Sequence, residues 1–280
     1  MKPKILLLDK PHPKAMEIME SVAYVEESDK YADNIFTMSP LNDYNIVYTQ
    51  LTPIKINVPV FCPCTRIDHI QAPKIIYLDE HWKATEGQNI TSTAEHTWSL
   101  ILQLAKINRM QLRGKTLGII GYGRLGRQVS RYADPFIKNI LPFDVIDFKD
   151  IFEGSSGCWH LKNIPLKDVF KCSDIITLHV PLTKETHGMI GRKEFDMMKP
   201  GVLLVNTSRS EIVEKIALIN ALYSKTIGGY ADDFLNEFEI TGYDNVIQTP
   251  SIGGNCLEAR EATDIYIAKQ VVNMFEEEQQ

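Results

Sequence analysis

The residues with the plainest chemical purpose are a set of glycines and one aspartate. Gly121-Tyr122-Gly123-Arg124-Leu125-Gly126 follows directly on the apolar stretch Leu117-Gly118-Ile119-Ile120. Asp144 closes the next apolar stretch, Ile140-Leu141-Pro142-Phe143. It stands about twenty residues beyond the glycines, the spacing of a dinucleotide-binding turn. Gly121 permits a sharp exit from a strand. Gly123 keeps the backbone bare where phosphates approach, and Gly126 lets the following helix, expected over 127–133, pack against the sheet. The start of that helix offers free N–H groups and a positive dipole end to an anion. A carboxylate at Asp144 accepts hydrogen bonds from a ribose diol and repels a 2′-phosphate, which favours NAD over NADP. A glycine turn in an unrelated α/β protein would have no reason to carry the acid at that distance.

Such a turn needs a parallel sheet to hold it. Strands are expected over 4–8, 46–49, 58–61, 75–78, 116–120, 139–143, 175–179, 202–206, 228–231 and 246–248, with long helical patterns after Ala94 and over 257–275. Their alternation with helical stretches predicts an α/β protein of two doubly wound lobes. Ligands of open parallel sheets sit beyond the carboxyl ends of the strands. The polar groups that follow strands are therefore candidates to line one rim: His179-Val180-Pro181, Asn206-Thr207-Ser208-Arg209, Asp232 with Glu237, and Gln248 through Gly254.

The 280 residues suffice for two domains, and a net charge of −6 disfavours a nucleic-acid partner. No apolar run reaches membrane-spanning length, and the stretch after Met1 is too short for a signal peptide, so neither a membrane partner nor export is expected. The five cysteines suggest no disulfide framework and point to a reducing cytoplasm. Cys62-Pro63-Cys64 lacks a second Cys/His pair at ligand spacing, so it reads as a thiol pair in a loop, and no metal is expected.

Taken together, Thr93-Ala94-Glu95-His96-Thr97, the glycine turn, Ser173 through Thr183, Met198-Lys199-Pro200-Gly201 and Asn206 through Arg209 resemble the D-isomer-specific 2-hydroxyacid dehydrogenases. The resemblance implies a Rossmann cofactor domain over 94–254, inserted into a flavodoxin-like substrate domain of 1–93 plus 255–280. It implies that Arg209 grips a 2-oxo acid and that Glu237 orients the catalytic histidine. Asp232 would bind the nicotinamide carboxamide, and Thr65 and Arg66 the substrate carboxylate. Gly121, Gly123, Arg124, Leu125, Gly126, Asp144, His179, Val180, Pro181, Thr207, Ser208, Gly253 and Gly254 fall at cofactor-binding positions.

The sequence departs from the family where its general-acid histidine belongs, because Thr249-Pro250-Ser251 replaces Thr-Pro-His. A serine hydroxyl does not release a proton near neutral pH. Ser210-Glu211 replaces two glycines, and Arg66 replaces another. His81 or Lys83, in the charged loop 79–83 expected to face the interdomain cleft, is a substitute donor, although a solvated surface loop is the simpler reading. His96 and His179 match cofactor-facing or interface positions. The expectation is an NAD-dependent oxidoreductase of small 2-hydroxy and 2-oxo acids; the alternative is an NAD(H)-binding regulatory or scaffold relative. A homodimer is expected through the helix 95–106, on the apolar side chains of Trp98, Leu100, Ile101, Leu102 and Leu104.

Overall fold

A computed structural model describes residues 2–28, 43–50, 52–64, 67, 69–78, 87–154, 157–235 and 239–277. The chain divides into two compact units, 1–89 with 255–280, and 90–254.

The first unit contains β1 (Lys4–Leu7), α1 (Pro13–Val22), β2 (Tyr24–Glu27), β3 (Ile46–Tyr48), β4 (Ile54–Lys55), β5 (Val60–Cys62), β6 (Ile70–Gln71) and β7 (Ile75–Tyr77). Its parallel sheet has the order β2-β1-β3-β5-β7, with β4 and β6 as a separate parallel pair. Alternation along each strand sends side chains to opposite faces. Ile5, Leu7, Ile46, Tyr48 and Phe61 face one core, and Leu6, Val47, Val60 and Cys62 face another. Pro13 at the first turn of α1 suits a helix start, and the His12 ring accepts the Lys14 N–H there.

The second unit begins within α2 (Gln88–Ile107). It continues through β8 (Thr116–Ile120), α3 (Arg124–Tyr132), β9 (Asn139–Phe143), β10 (Lys149–Gly154), β11 (Gly157–Lys162), α4 (Leu166–Cys172), β12 (Ile175–Leu178), α5 (Arg192–Met197), β13 (Val202–Asn206), α6 (Lys215–Tyr223), β14 (Ile227–Asp232) and β15 (Val246–Gln248). Its six-stranded sheet, β15-β14-β13-β12-β8-β9, is parallel throughout. Buried side chains of α2 and α3 pack on one face, and those of α4, α5 and α6 on the other. This is the doubly wound α/β arrangement expected.

The chain then returns to the first unit as α7 (Leu257–Glu277). Ile267, Ala268, Val271 and Phe275 of α7 complete the core formed by β1, β3, β5 and α1. Asp264 is fully buried. It accepts the Tyr48 hydroxyl at 2.8 Å and the His12 N–H at 2.6 Å, while Arg260 donates to it at 3.4 Å.

Three sequence expectations change. Helix α3 begins at Arg124, directly on the glycine turn, rather than at Arg127. The antiparallel ribbon β10–β11 was not anticipated; Arg127 and the Tyr122 hydroxyl bind its Asp150 at 3.2 and 2.9 Å. Finally, Trp98, Leu100, Ile101 and Leu104 are buried inside their own unit, and only Leu102 of that set stands exposed, at 40 %. The apolar face of α2 is core, because the parallel sheet must be covered on both sides.

Candidate active site

Because the second sheet is parallel, the polar groups that follow its strands collect along one edge. β8 lies between β9 and β12, so chain order reverses there, at the position where open α/β sheets bind ligands. Gly121 leaves β8 with φ +93°, a conformation that glycine adopts without strain. A Cβ on Gly121 would stand 2.4 Å from the His179 carbonyl oxygen, and one on Gly126 would stand 2.2 Å from the Gly121 oxygen. The turn, the first turn of α3 and the end of β12 are thus in backbone contact.

Gly123 differs: a Cβ built on it meets nothing within 4 Å. It caps α3 with no side-chain hydrogen bond, so the helix N-terminus is open toward that space. The protein itself does not require a glycine at 123, whereas a phosphate resting on the backbone does. Arg124 is exposed at the first position of α3, and Leu125 packs against the core.

Asp144 follows β9. Its carboxylate accepts the Tyr122 N–H at 2.8 Å and the Ile146 N–H at 3.0 Å, tying it to the glycine turn. A carboxylate has about four acceptor positions, so capacity remains for a diol. These features fit a dinucleotide: a bare cradle at Gly123, a helix N-terminus and an acid at the next strand end.

Beyond β12, the His179 ring is 3.0 Å from the Thr177 hydroxyl through Nε2, while Nδ1 is shut off from water and has no partner. Burial drives its pKa down to about 3, so the imidazole is neutral. Val180 packs on the core and Pro181 is exposed.

Beyond β13, buried Asn206 shapes the loop. It donates to the Arg209 carbonyl at 2.8 Å and accepts the Ser208 N–H at 3.0 Å. The Ser208 hydroxyl donates to the Leu178 carbonyl at 2.8 Å, and the Thr207 and Thr97 hydroxyls are 3.0 Å apart. Arg209 is extended, and one guanidinium nitrogen donates to the Ser208 carbonyl at 2.7 Å. Ser210 bonds Glu211 at 3.0 Å.

Beyond β14, Asp232 is fully buried and accepts Gln248 Nε2 on both oxygens, at 3.1 and 3.0 Å. Burial raises its pKa to about 6, against the hydrogen bonds from Gln248 and Phe234. The neighbouring Asp233, which sequence reasoning passed over, organises the loop carrying Ser251. Its carboxylate accepts the Thr249 hydroxyl, the Ile252 N–H and the Gly253 N–H at 2.5, 2.9 and 2.7 Å. His96 Nε2 lies 2.9 Å from the Thr249 hydroxyl and 3.5 Å from Asp233. Burial works to raise the Asp233 pKa, but these bonds, that of His96 foremost, hold it below the ordinary carboxylate range. The available signal was the acidic pair Asp232-Asp233 at a strand end.

Ser251 donates its N–H to the Asp233 carbonyl at 3.1 Å and sits at φ +58°, in the left-handed region. Gly253 accepts the Ser92 hydroxyl at 2.6 Å, and Gly254 lies beside Thr93. Glu237, Thr65, Arg66, His81 and Lys83 lie outside the described residues.

Residues 81–253 match the profile of the D-isomer specific 2-hydroxyacid dehydrogenase, NAD binding domain. A D-3-phosphoglycerate dehydrogenase of Archaeoglobus fulgidus is 34% identical over 212 residues, 67% of this chain and 40% of that protein. A glyoxylate reductase of Thermococcus litoralis is 39% identical over 166 residues, 58% of this chain and 49% of that protein. The chain thus matches half or less of the length of these curated relatives. In fold, the NAD-dependent formate dehydrogenase of Staphylococcus aureus in complex with NAD aligns over 98% of this chain and 95% of its own, at TM-score 0.72 and 19% identity.

Proposed function

The chain belongs to the D-isomer specific 2-hydroxyacid dehydrogenase family, and from that premise we propose that it interconverts a small 2-oxo acid and its 2-hydroxy acid with NAD(H). The observation that carries this reading is the pairing of a dinucleotide cradle at Gly123 and Asp144 with a guanidinium, Arg209, on the same sheet edge. The cofactor, when bound, supplies the hydride. The task of Arg209 is to donate in parallel to the carboxylate and carbonyl oxygens of the 2-oxo acid, which orients it and draws electron density from the carbonyl carbon. Asn206 and Ser208 fix the backbone from which Arg209 projects. Ser251 is not the proton donor, because its hydroxyl does not ionise in the useful range. Glu237, Thr65, Arg66 and His81 keep their assignments as carboxylate and substrate-side groups within this proposal.

A scaffold relative with little turnover is the second reading, and Ser251 at the family's histidine position favours it. Monitoring NADH absorbance with a panel of short 2-oxo acids, glyoxylate first because some relatives are glyoxylate reductases, separates the two. Turnover supports the enzyme. Tight NADH binding with no turnover on any of them supports the scaffold.

A homodimer through the second unit is part of the proposal. Exposed Leu102 and Phe136 border an open hollow of about 700 Å³ with Trp98, Tyr132 and Pro135. A reducing compartment such as the cytoplasm suits the free cysteines. Among the described residues, no helix is long and apolar enough to cross a membrane.

A further inference from the structure

The first unit holds a thiol cluster that the dehydrogenase reading does not use. β1, β3 and β5 run parallel, so Asp9, Gln50 and Cys62 meet at their carboxyl ends. The Asp9 carboxylate accepts the Gln50 N–H at 2.6 Å, the Thr49 hydroxyl at 2.9 Å and the Thr52 hydroxyl at 2.9 Å, which fixes the backbone at Gln50. Two thiols approach the carbonyl oxygen of Gln50: Cys64 Sγ at 3.5 Å and Cys62 Sγ at 3.8 Å. Cys62 is buried, and Cys64 is partly open to solvent. The Cys62 thiol also interacts with Cys64 and with His69, whose Nε2 is buried without a hydrogen bond. Among the described residues no group of three His, Cys, Asp or Glu side chains is placed to hold a metal ion.

We propose that Cys62 and Cys64 are a redox-active dithiol, a modification site that low-molecular-weight disulfides convert into an intrachain Cys62–Cys64 bond. Spacing permits it: residues two apart have Cα atoms about 6.6 Å apart in a fully extended chain and closer where the chain bends, as it does at Pro63 and Cys64, and disulfides span roughly 4.4–6.8 Å. Reactivity supports it. Hydrogen bonding from Cys64, then from His69, outweighs burial and brings the Cys62 pKa down to about 6. Cys62 therefore carries the negative charge, and its hydrogen bond, with burial, pushes the Cys64 thiol well up. Cys62 is placed to take the proton of Cys64, the residue of the pair that solvent reaches, as that residue reacts.

The chemistry balances in two exchange steps. Cys62 takes the Cys64 proton as the Cys64 sulfur attacks one sulfur of a disulfide RSSR, forming Cys64–S–SR and releasing RS⁻, which takes up a proton from solvent. Cys62 then gives its proton to the His69 imidazole and attacks the Cys64 sulfur, forming the Cys62–Cys64 bond and expelling the second RS⁻, which recovers the proton from His69. The protein thiols are oxidised, RSSR is reduced, and the sum is one intrachain disulfide and two RSH.

The test uses the full chain, reduced, desalted and incubated with glutathione disulfide. Remaining thiols are then alkylated under denaturing conditions and the protein is cleaved with trypsin. Both cysteines fall in one peptide, 56–66. The expected result is that peptide lacking two hydrogens, with no alkyl group and no glutathione, and restored to two alkylatable thiols by dithiothreitol. Exposed Cys158 and Cys172 report that the oxidant has acted. Cys62→Ser should trap a lasting glutathione adduct on Cys64, because the resolving sulfur is gone. Should that variant fail to fold, the wild-type map decides alone. Peptide 56–66 recovered with both cysteines alkylated while Cys158 or Cys172 is glutathionylated overturns the proposal, as does a persistent adduct on Cys64 beside an alkylated Cys62.

Discussion

Arg209 and Ser251 make separable predictions, because one would touch the substrate and the other occupies an emptied role. Under the proposed mechanism, Arg209→Ala removes two charge-assisted hydrogen bonds to a 2-oxo acid. Turnover should fall by on the order of 10²- to 10⁴-fold while NADH affinity, read by fluorescence titration, stays near that of the parent. Full activity in that variant would sink the mechanism. Ser251→His should fold, since histidine is among the residues that enter the left-handed region more readily, and it should hold or raise activity. Asp232 adds a pH dependence. Burial raises its pKa to about 6, so it gains a proton as pH falls through 6. If Asp232 accepts the nicotinamide carboxamide N–H, NADH affinity should drop between pH 7 and 5; a flat titration would remove it from the cofactor site.

The elements around the glycine turn can be tested by adding one carbon at a time. Gly123→Ala should leave the melting temperature unchanged and weaken NADH binding, because its Cβ meets only open space. Gly126→Ala should lower stability as well, by about 1–3 kcal/mol, since its Cβ would drive into the Gly121 carbonyl. Equal melting temperatures for the two would contradict the packing described. This turn was legible in the sequence because its chemistry is local: strand, glycines, helix and acid follow one another. Strands such as Thr116–Ile120 and Val202–Asn206 were legible too, because strands buried on both faces are continuous apolar runs. β2, mostly exposed, β10, whose exposed and half-buried residues alternate, and β11, mostly exposed, lack that signature. The apolar stripe of α2 was legible as a stripe, but sequence alone does not say whether a sheet or a second protein covers it. The service of Asp233 to the Ser251 loop depends on contacts with residues far along the chain, which no local pattern encodes.

For the molecule as a whole, acid should act chiefly on the second unit. Free histidine titrates near 6.5, whereas buried His179 takes a proton only near pH 3. The stability gained by keeping it neutral is complete above pH 6.5 and is lost as pH falls toward 3, to an upper bound of about 5 kcal/mol. Asp232, with its raised pKa, opposes this between pH 6 and 4, because the folded state then binds more protons. Denaturant midpoints against pH should show the decline, and His179→Asn should flatten it. In the first unit, Asp264→Ala would orphan the buried Tyr48 hydroxyl and leave the His12 N–H without its acceptor, at a cost of about 3 kcal/mol. The return of the chain as α7 also orders events on the ribosome. Residues 90–254 form a unit from one continuous segment, whereas 1–89 lack Ile267, Val271 and Phe275 until the last helix is made. At about 5–20 residues per second, the opening segment waits roughly ten to forty seconds for the helix that closes its core. During that interval it is the natural client of a chaperone.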